Sequence, residues 1–347
     1  MISEGGKITK DVRDCKLQPV KTNLRIIRHL PASPPLQPSA LTIGNLDGVH
    51  LGHQAMLACV CDAAQQLSLS PSVLTFHPHP RHYFATRHAK PELSPRQINS
   101  LRDKIGAIAS AGIEQIALLP FNQQLASMTA EAFIERLLLE QLNAKWLMVG
   151  PDFRFGKDRA GNVTLLQSAG KSLGFEVRVI HQVSDHAGER ISSSMVRAAL
   201  ADGDMLRVQR LLGRPWRLTG HVIHGKKLGR TLGFPTLNMR MSTNTAVRFG
   251  IYVVRILGLG PKPLPGIASL GIRPTVDDEL GVLLETHIIG ADVNAYGKLL
   301  AVELLQHVRD EHKFPDLNAL TAAMQRDREQ ALEYFAHHGL QNNAESD

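Results

Sequence analysis

The sequence predicts an α/β domain built on a doubly wound parallel sheet, followed by a small antiparallel β-barrel and a closing C-terminal helix. Three observations predict this. Short apolar runs bounded by Gly, Pro or Ser alternate with helical patterns through the first half of the chain. Closely spaced, glycine-punctuated strand patterns then run from 218 to about 309, and an amphipathic pattern fills 317 to about 334. A length of 347 residues favours two domains of ordinary size.

Residues 1–22 lack periodicity and read as a disordered or variable tail, and "PASPPLQPS" at 31–39 is a proline-rich connector. Strands are expected at 40–44, 72–76, 115–121, 145–150 and 176–180. Between them lie helical faces: Met56, Leu57, Val60, Ala63, Ala64 and Leu67; then Ile98, Leu101, Ile105 and Ile108; then Phe133, Ile134, Leu137, Leu138 and Leu142. Two short helices follow at 194–201 and 204–212. The texture changes at Gly213-Arg214-Pro215-Trp216, which sets the expected domains at 23–212 and 213–340. The barrel strands are expected in "LTGHVI", "FGIYVVRIL", "LPGIASLGI", "LLETHII" and "KLLAVELLQHV".

The composition, 43% hydrophobic and 20% charged, is that of a soluble globular chain. No run is long and apolar enough for a membrane span, and the N-terminus lacks the apolar core of a signal peptide, so the cytoplasm is the expected compartment and no membrane partner is expected. Three cysteines form neither a disulfide framework nor a zinc knuckle. The net charge of +7 is compatible with phosphorylated small molecules. The basic residues are dispersed, with only 5% aromatics, so nucleic acid is not an expected partner.

The stretch "TIGNLDGVHLGHQ" (42–54) joins a strand to a helix through a glycine-rich turn. Glycines 44, 48 and 52 permit close backbone approach, and the free N–H groups of the following helix favour an anion. His50 and His53 can face one ligand from the first turn. Their spacing alone leaves phosphate binding, metal ligation and simple packing open, although zinc would need a third protein ligand. Downstream, "ISSSMVR" (191–197) is a serine-capped helix start whose hydroxyls and arginine can hold phosphate.

Together, "GNLDGVHLGH" and "ISSSMVR", in this order and about 140 residues apart, resemble the two signatures of the nucleotidylyltransferase superfamily. That resemblance implies a Rossmann-like fold for the first domain and assigns Asn45, Asp47, His50, His53, Ser193, Ser194 and Arg197 to ATP. Longer matches, "LTFHPHPR" (74–81) and "VGPDFRFGKDRAGN" (149–162), resemble the bacterial bifunctional riboflavin kinase/FMN adenylyltransferase (FAD synthetase) family. They imply that Asp152, Phe153 and Arg154 contribute to the substrate site, with Phe153 able to stack on a ring and Arg154 to pair with phosphate. Prolines 78 and 80 read as an extended loop around His77 and His79.

The second domain carries "HGKKLGRTLGFPTLN" (224–238), rich in Gly and Lys/Arg as a loop folding over a nucleotide requires, but not a P-loop. It makes Gly225, Lys226, Gly229 and Arg230 candidates for ATP. Its Pro-Thr-x-Asn element resembles that of riboflavin kinases, which implies a riboflavin kinase-like barrel in which Thr236 and Asn238 hold Mg2+ and ATP phosphates. By the family's Glu-Thr-His segment, Glu285 is expected to be the base acting on the riboflavin 5′-hydroxyl, from a position pointing into the barrel. Arg309 and Phe314, in the segment leading to the last helix, are weaker candidates for the flavin site.

The resemblance spans about 24–334. Departures are Leu46 for the usual Phe, Pro151 for an acidic residue, Leu237 for Ala, Ser269 for Asn, and a less acidic loop at 290–297. None removes an expected phosphate or magnesium ligand. The implied reactions are phosphorylation of riboflavin by ATP to FMN, then adenylylation of FMN by ATP to FAD and pyrophosphate, with His50 and His53 stabilising charge in the second step. The rivals are a monofunctional enzyme with one vestigial domain, and a flavin- or RNA-binding regulator. The presence of His50, His53, Arg197, Thr236, Asn238 and Glu285 argues against both.

Overall fold

The structure, a computed structural model, describes residues 24–29, 36–181, 183–185, 188–225, 232–274, 280–291 and 293–340. The tail expected at 1–22 and part of the proline connector lie outside the described residues, as do the candidates Lys226, Gly229 and Arg230. The chain divides into two compact units, 1–93 with 105–184, and 94–104 with 185–347.

The first unit is a six-stranded parallel sheet: β1 (Arg25–Ile27), β2 (Ser39–Ile43), β3 (Ser70–Phe76), β4 (Gln115–Leu119), β5 (Ala144–Val149) and β6 (Glu176–Val179). The order is β1-β4-β3-β2-β5-β6. Strand β2 is buried along its whole length, with β3 on one side and β5 on the other, so its C-terminal end is the point where the strand order reverses. Ligands of doubly wound sheets bind outside such a point. Leu41, Leu74, Leu137, Leu138, Leu147 and Leu166 fill the core beneath it.

Helix α1 (Leu51–Leu67) buries Met56, Leu57, Val60, Ala63 and Ala64, the face expected from the 3.6-residue period. The segment expected to be extended around 77–81 is instead the start of a helix, α2 (Pro80–Arg87): Pro80 opens it, and His79 caps it by accepting from the Arg81 N–H at 3.1 Å. Proline lacks an N–H that the first turn does not use, so it starts helices as readily as it breaks them. Helix α3 (Leu101–Ser110) begins after Ile98, and the division between the units falls within it. Short helices α4 (Gln123–Ala126) and α5 (Ala130–Ala132) follow, the latter running into a π-helix, Phe133–Gln141, and α6 (Val163–Leu173) precedes β6.

The second unit contains helices α7 (Ser193–Asp202) and α8 (Met205–Leu212), a closed barrel and the last helix, α9 (Leu317–His338). The barrel strands are β7 (Trp216–Ile223), β8 (Thr236–Met241), β9 (Gly250–Leu257), β10 (Leu264–Pro274), β11 (Leu280–Ile288) and β12 (Leu299–Arg309), closing in the order β10-β11-β8-β7-β12-β9 with antiparallel pairing throughout. The compact unit thus begins upstream of the expected 212/213 division. The Trp216 indole N–H donates to the Ile98 carbonyl at 2.7 Å, and the Arg248 N–H donates to Leu200 O at 2.9 Å, binding 94–104 and α7 to the barrel within this unit.

Alternation sorts the barrel faces. Val282, Leu284 and Thr286 of β11, Ala268 and Leu270 of β10, Met239 of β8 and Tyr252 of β9 are almost fully buried and point inward. Val253 and Ile267 point outward, where Ala331 of α9 covers them with Tyr334 and Phe335 beside it. Elsewhere that outer face carries Ser269, Arg273, Glu285 and Asn238.

Candidate active sites

The loop between β2 and α1 is held in an unusual conformation. Leu46, Gly48 and Val49 all have positive φ, at 48°, 85° and 45°. A β-branched residue there costs about 1–3 kcal/mol and persists where its surroundings over-determine it. Leu46 and Val49 are fully buried, and the loop is tied down by Gly44 N–H to Leu74 O (3.1 Å), Thr75 Oγ1 to Asn45 O (3.3 Å) and Gln54 Nε2 to Val49 O (2.8 Å). Its product is a fixed helix start at the reversal point of the sheet.

His50 is the N-cap of α1, and its Nδ1 accepts from the His53 N–H at 3.4 Å. A neutral imidazole whose Nδ1 accepts carries its hydrogen on Nε2. The two imidazoles stack with centroids 3.7 Å apart; His50 is buried and His53 half-buried. Asn45 and Asp47 are half-buried in the same loop.

After β5, Asp152 and Arg154 are exposed, whereas Phe153 is half-buried and stacks on Phe155, ring centroids 5.5 Å apart. Phe153 therefore packs against the core and offers one side of its ring at most. The C-terminal ends of β3 and β4 hold an aromatic group that sequence reasoning missed. Phe121 makes edge contacts with Phe76, Tyr83 and Phe84 at 5.5–5.7 Å, and Phe84 is 40% exposed. The doublet Tyr83-Phe84 in a chain so poor in aromatics was the available signal; reading 77–81 as an extended loop concealed it.

Ser192, rather than the two serines after it, caps α7, accepting from the Met195 N–H at 3.3 Å; Ser193 and Ser194 form the first turn. Arg197 Nε donates to the Arg96 carbonyl at 2.7 Å. These residues belong to the second unit, and His50 and His53 to the first.

On the barrel, β8 and β11 bring the expected kinase residues together. Glu285 lies directly opposite Asn238, and His287 opposite Thr236. Such pairs share a face with Cβ atoms about 5 Å apart. That face is the outer one, because the flanking Leu284 and Thr286 occupy the interior; Glu285 does not point into the barrel as expected. The apolar run of β11 concealed this, since α9 and the strand ends also bury part of the outer face. Glu285 Oε2 accepts from Arg273 Nε at 3.1 Å.

Asn238 is 5% exposed, its Nδ2 donates weakly to Thr236 O (3.4 Å), and its Oδ1 has no hydrogen-bond partner among the described residues. A Cβ on Gly225 would overlap that amide, so the backbone at 225 approaches it closely because the residue is glycine. An orphaned buried amide oxygen beside a threonine hydroxyl is a suitable donor set for a hard cation that keeps several waters. No group of three or more His, Cys, Asp or Glu able to hold a metal occurs among the described residues. At the barrel rim a cavity of about 340 Å3 opens beside Thr236, Leu237, Ile288 and Tyr296, and His224 stacks on Tyr296 with centroids 3.9 Å apart. Arg309 is engaged elsewhere: it pairs with both oxygens of Asp327 in α9, at 2.8 and 2.6 Å, and lies over the Phe314 ring.

Comparison with known proteins agrees with both halves. The FAD synthetase family model matches residues 33–195 and the riboflavin kinase family model residues 212–335. The chain is 40% identical to the bifunctional riboflavin kinase/FMN adenylyltransferase of Escherichia coli (strain K12) over 314 residues, 90% of this chain and 98% of that one. It is also 40% identical to the protein of the same name from Haemophilus influenzae, over 86% of this chain and 95% of that one. A crystal structure from Streptococcus pneumoniae, described as a macrolide-efflux protein, superposes with a TM-score of 0.73 at 29% identity, covering 89% of this chain and 99% of that one. No helix among the described residues is long and apolar enough to cross a membrane.

Proposed function

Because the chain belongs to the bifunctional riboflavin kinase/FMN adenylyltransferase family, we propose a division of labour in which residues 213–340 make FMN and residues 23–212 convert it to FAD. The two activities are phosphorylation of riboflavin by ATP and adenylylation of FMN by ATP, and ATP, riboflavin, FMN and FAD are the substrates and products. The cytoplasm is the setting that fits them.

In the kinase step, Glu285 accepts the proton of the riboflavin 5′-hydroxyl as that oxygen bonds the γ-phosphorus and ADP leaves. Thr236 and Asn238, with Gly225 close beside the amide, would hold Mg2+ and the phosphates, and the cavity beside Thr236 offers room for the nucleotide. Mg2+ would supply neutralisation of the charge on the phosphate oxygens. The observation that carries this reading is the register pairing of Glu285 with Asn238 around an orphaned buried oxygen.

In the adenylylation step, an FMN phosphate oxygen attacks the α-phosphorus and pyrophosphate leaves. The His50 Nε2–H and the His53 ring stabilise the growing negative charge, aided by the α1 N-terminus. Asn45 and Asp47 line the same loop, Ser193, Ser194 and Arg197 are assigned to ATP by their signature, and Asp152 and Arg154 flank the substrate. The Phe76, Tyr83, Phe84 and Phe121 rings suit a planar isoalloxazine better than Phe153 does, because Phe84 is exposed.

The test is to incubate the protein with riboflavin, ATP and Mg2+ and separate the flavins over time. FMN appears first and FAD follows. His53→Ala stops the sequence at FMN, and Glu285→Ala blocks FMN formation while supplied FMN still becomes FAD. Loss of both activities in either variant would contradict separate sites.

A further inference from the structure

Glu285 does not stand alone on the barrel's outer face. Arg273, on the neighbouring strand β10, reaches it with Nε, while Nη2 is held by Ser269 Oγ at 2.9 Å and by Glu311 Oε1. Ser269 Oγ in turn donates to the same Glu311 oxygen at 3.0 Å. Ser269 lies directly opposite Glu285 in register, so the network wraps one side of that carboxylate. All three charged side chains are about one-third exposed.

A Cβ at Gly271 would overlap the Glu311 carboxylate, so a side chain at this position would require Glu311 to shift. Burial pulls the Arg273 guanidinium downward, but Glu311 and Glu285 together hold its pKa above the ordinary arginine value, so it remains a fixed cation. Among the described residues Glu285 Oε1 has no hydrogen-bond partner, since the one contact goes to Oε2. Of the other charged and titratable groups among the described residues of the barrel, His287 Nδ1 lies 3.0 Å from Pro235 O, Arg240 is exposed one pair further along β8, Arg255 pairs with Glu303 and Arg309 with Asp327.

We infer that Arg273 is a positioning residue for riboflavin phosphorylation: anchored by Glu311 and Ser269, it fixes the Glu285 carboxylate through Oε2 so that Oε1 is presented to the substrate hydroxyl. This rests on the reading of Glu285 as the base. An arginine is suited to the task because its planar fork reaches two partners in fixed directions, which a lysine ammonium cannot do. Its effect is on orientation, so the reacting hydroxyl is bound as well without it but is met in fewer productive geometries.

The experiment measures kcat and KM for riboflavin in the full-length chain with ATP and Mg2+, riboflavin binding by quenching of its fluorescence, and FMN-to-FAD conversion in the same preparations. Arg273→Ala lowers kcat for FMN formation by about 30- to 100-fold with KM and riboflavin affinity within about twofold of the parent. Arg273→Lys retains a lower kcat than the parent, and added guanidinium restores part of the activity of Arg273→Ala. FMN-to-FAD conversion is unchanged. Gly271→Ala, which adds one methyl group beside the Glu311 carboxylate, lowers kcat in the same manner and carries the test if Arg273→Ala does not fold. A kcat for Arg273→Ala within about threefold of the parent, or a rise in KM in place of the fall in kcat, overturns the inference. Glu285→Gln separates the two layers: if it stays active, the base assignment fails and the positioning role fails with it. If it is inactive while Arg273→Ala and Gly271→Ala are not, the positioning role alone fails.

Discussion

Removing the Asp327 carboxylate tests what holds α9 against the barrel. Asp327 pairs with Arg309 through two hydrogen bonds of 2.8 and 2.6 Å, and the two side chains are 7% and 23% exposed. Two unit charges about 4 Å apart at an effective dielectric near 20 attract by about 4 kcal/mol, and truncating one member of a buried pair costs about 3–5 kcal/mol. Arg309 regains some hydration through its exposed quarter and keeps Asp310 O at 3.1 Å and the Phe314 face, so Asp327→Ala should cost about 2–3 kcal/mol. The two tryptophans lie one in each unit, Trp146 in β5 and Trp216 in β7. In a Trp146→Phe background, Trp216 fluorescence therefore reports the second unit alone, and the urea midpoint should fall by about 1 M. The double variant Arg309→Leu/Asp327→Leu should recover most of the loss, because an apolar pair leaves no buried charge. An unchanged midpoint for Asp327→Ala, or no recovery in the double variant, would refute this account. A rise in riboflavin KM at unchanged stability would return Arg309 to the flavin site.

Asn238→Leu should separate function from stability: FMN formation falls by at least about tenfold, while the barrel gains about 1 kcal/mol because the orphaned oxygen is gone. Flavin turnover and the Trp216 urea midpoint check the two halves of that statement. His307 should make the second unit acid-sensitive. Burial, then the Arg248 guanidinium, holds its imidazole below the ordinary value of 6.5, outweighing Asp310. The unfolded chain then binds the proton more readily than the folded one. Stability from this group is complete above about 6.5 and declines as pH falls toward the lower folded value. His307→Gln should flatten the dependence of the midpoint on pH below about 6.5, and an unaltered slope would discard the group as a contributor.

The parts of this molecule legible in the sequence are those whose causes are local. Strand β2 and its glycine-rich turn could be read because a five-residue buried run followed by three glycines has few other folds open to it. Strand β1 could not, since three residues at a sheet edge carry no period. The same proline chemistry that suggests an extended loop at 77–81 also starts α2, and only the His79 cap distinguishes the two. The motif nominates Glu285, but its face is not legible in the sequence, because a strand buried on both sides loses the alternation that would orient it. The partners of that carboxylate were beyond reach for a different reason. Arg273 is 12 residues from Glu285, and Glu311 is 38 from Arg273, and nothing in either segment marks a shared target. What sets their meeting is barrel register, with Ser269 opposite Glu285, and a glycine at 271 where Glu311, beyond the end of β12, reaches β10. A motif nominates the group proposed to do the chemistry, whereas the groups proposed to aim it are brought together by strand pairing. For that reason a one-methyl change at Gly271, outside every signature, is a sharper probe of the kinase site than another substitution within them.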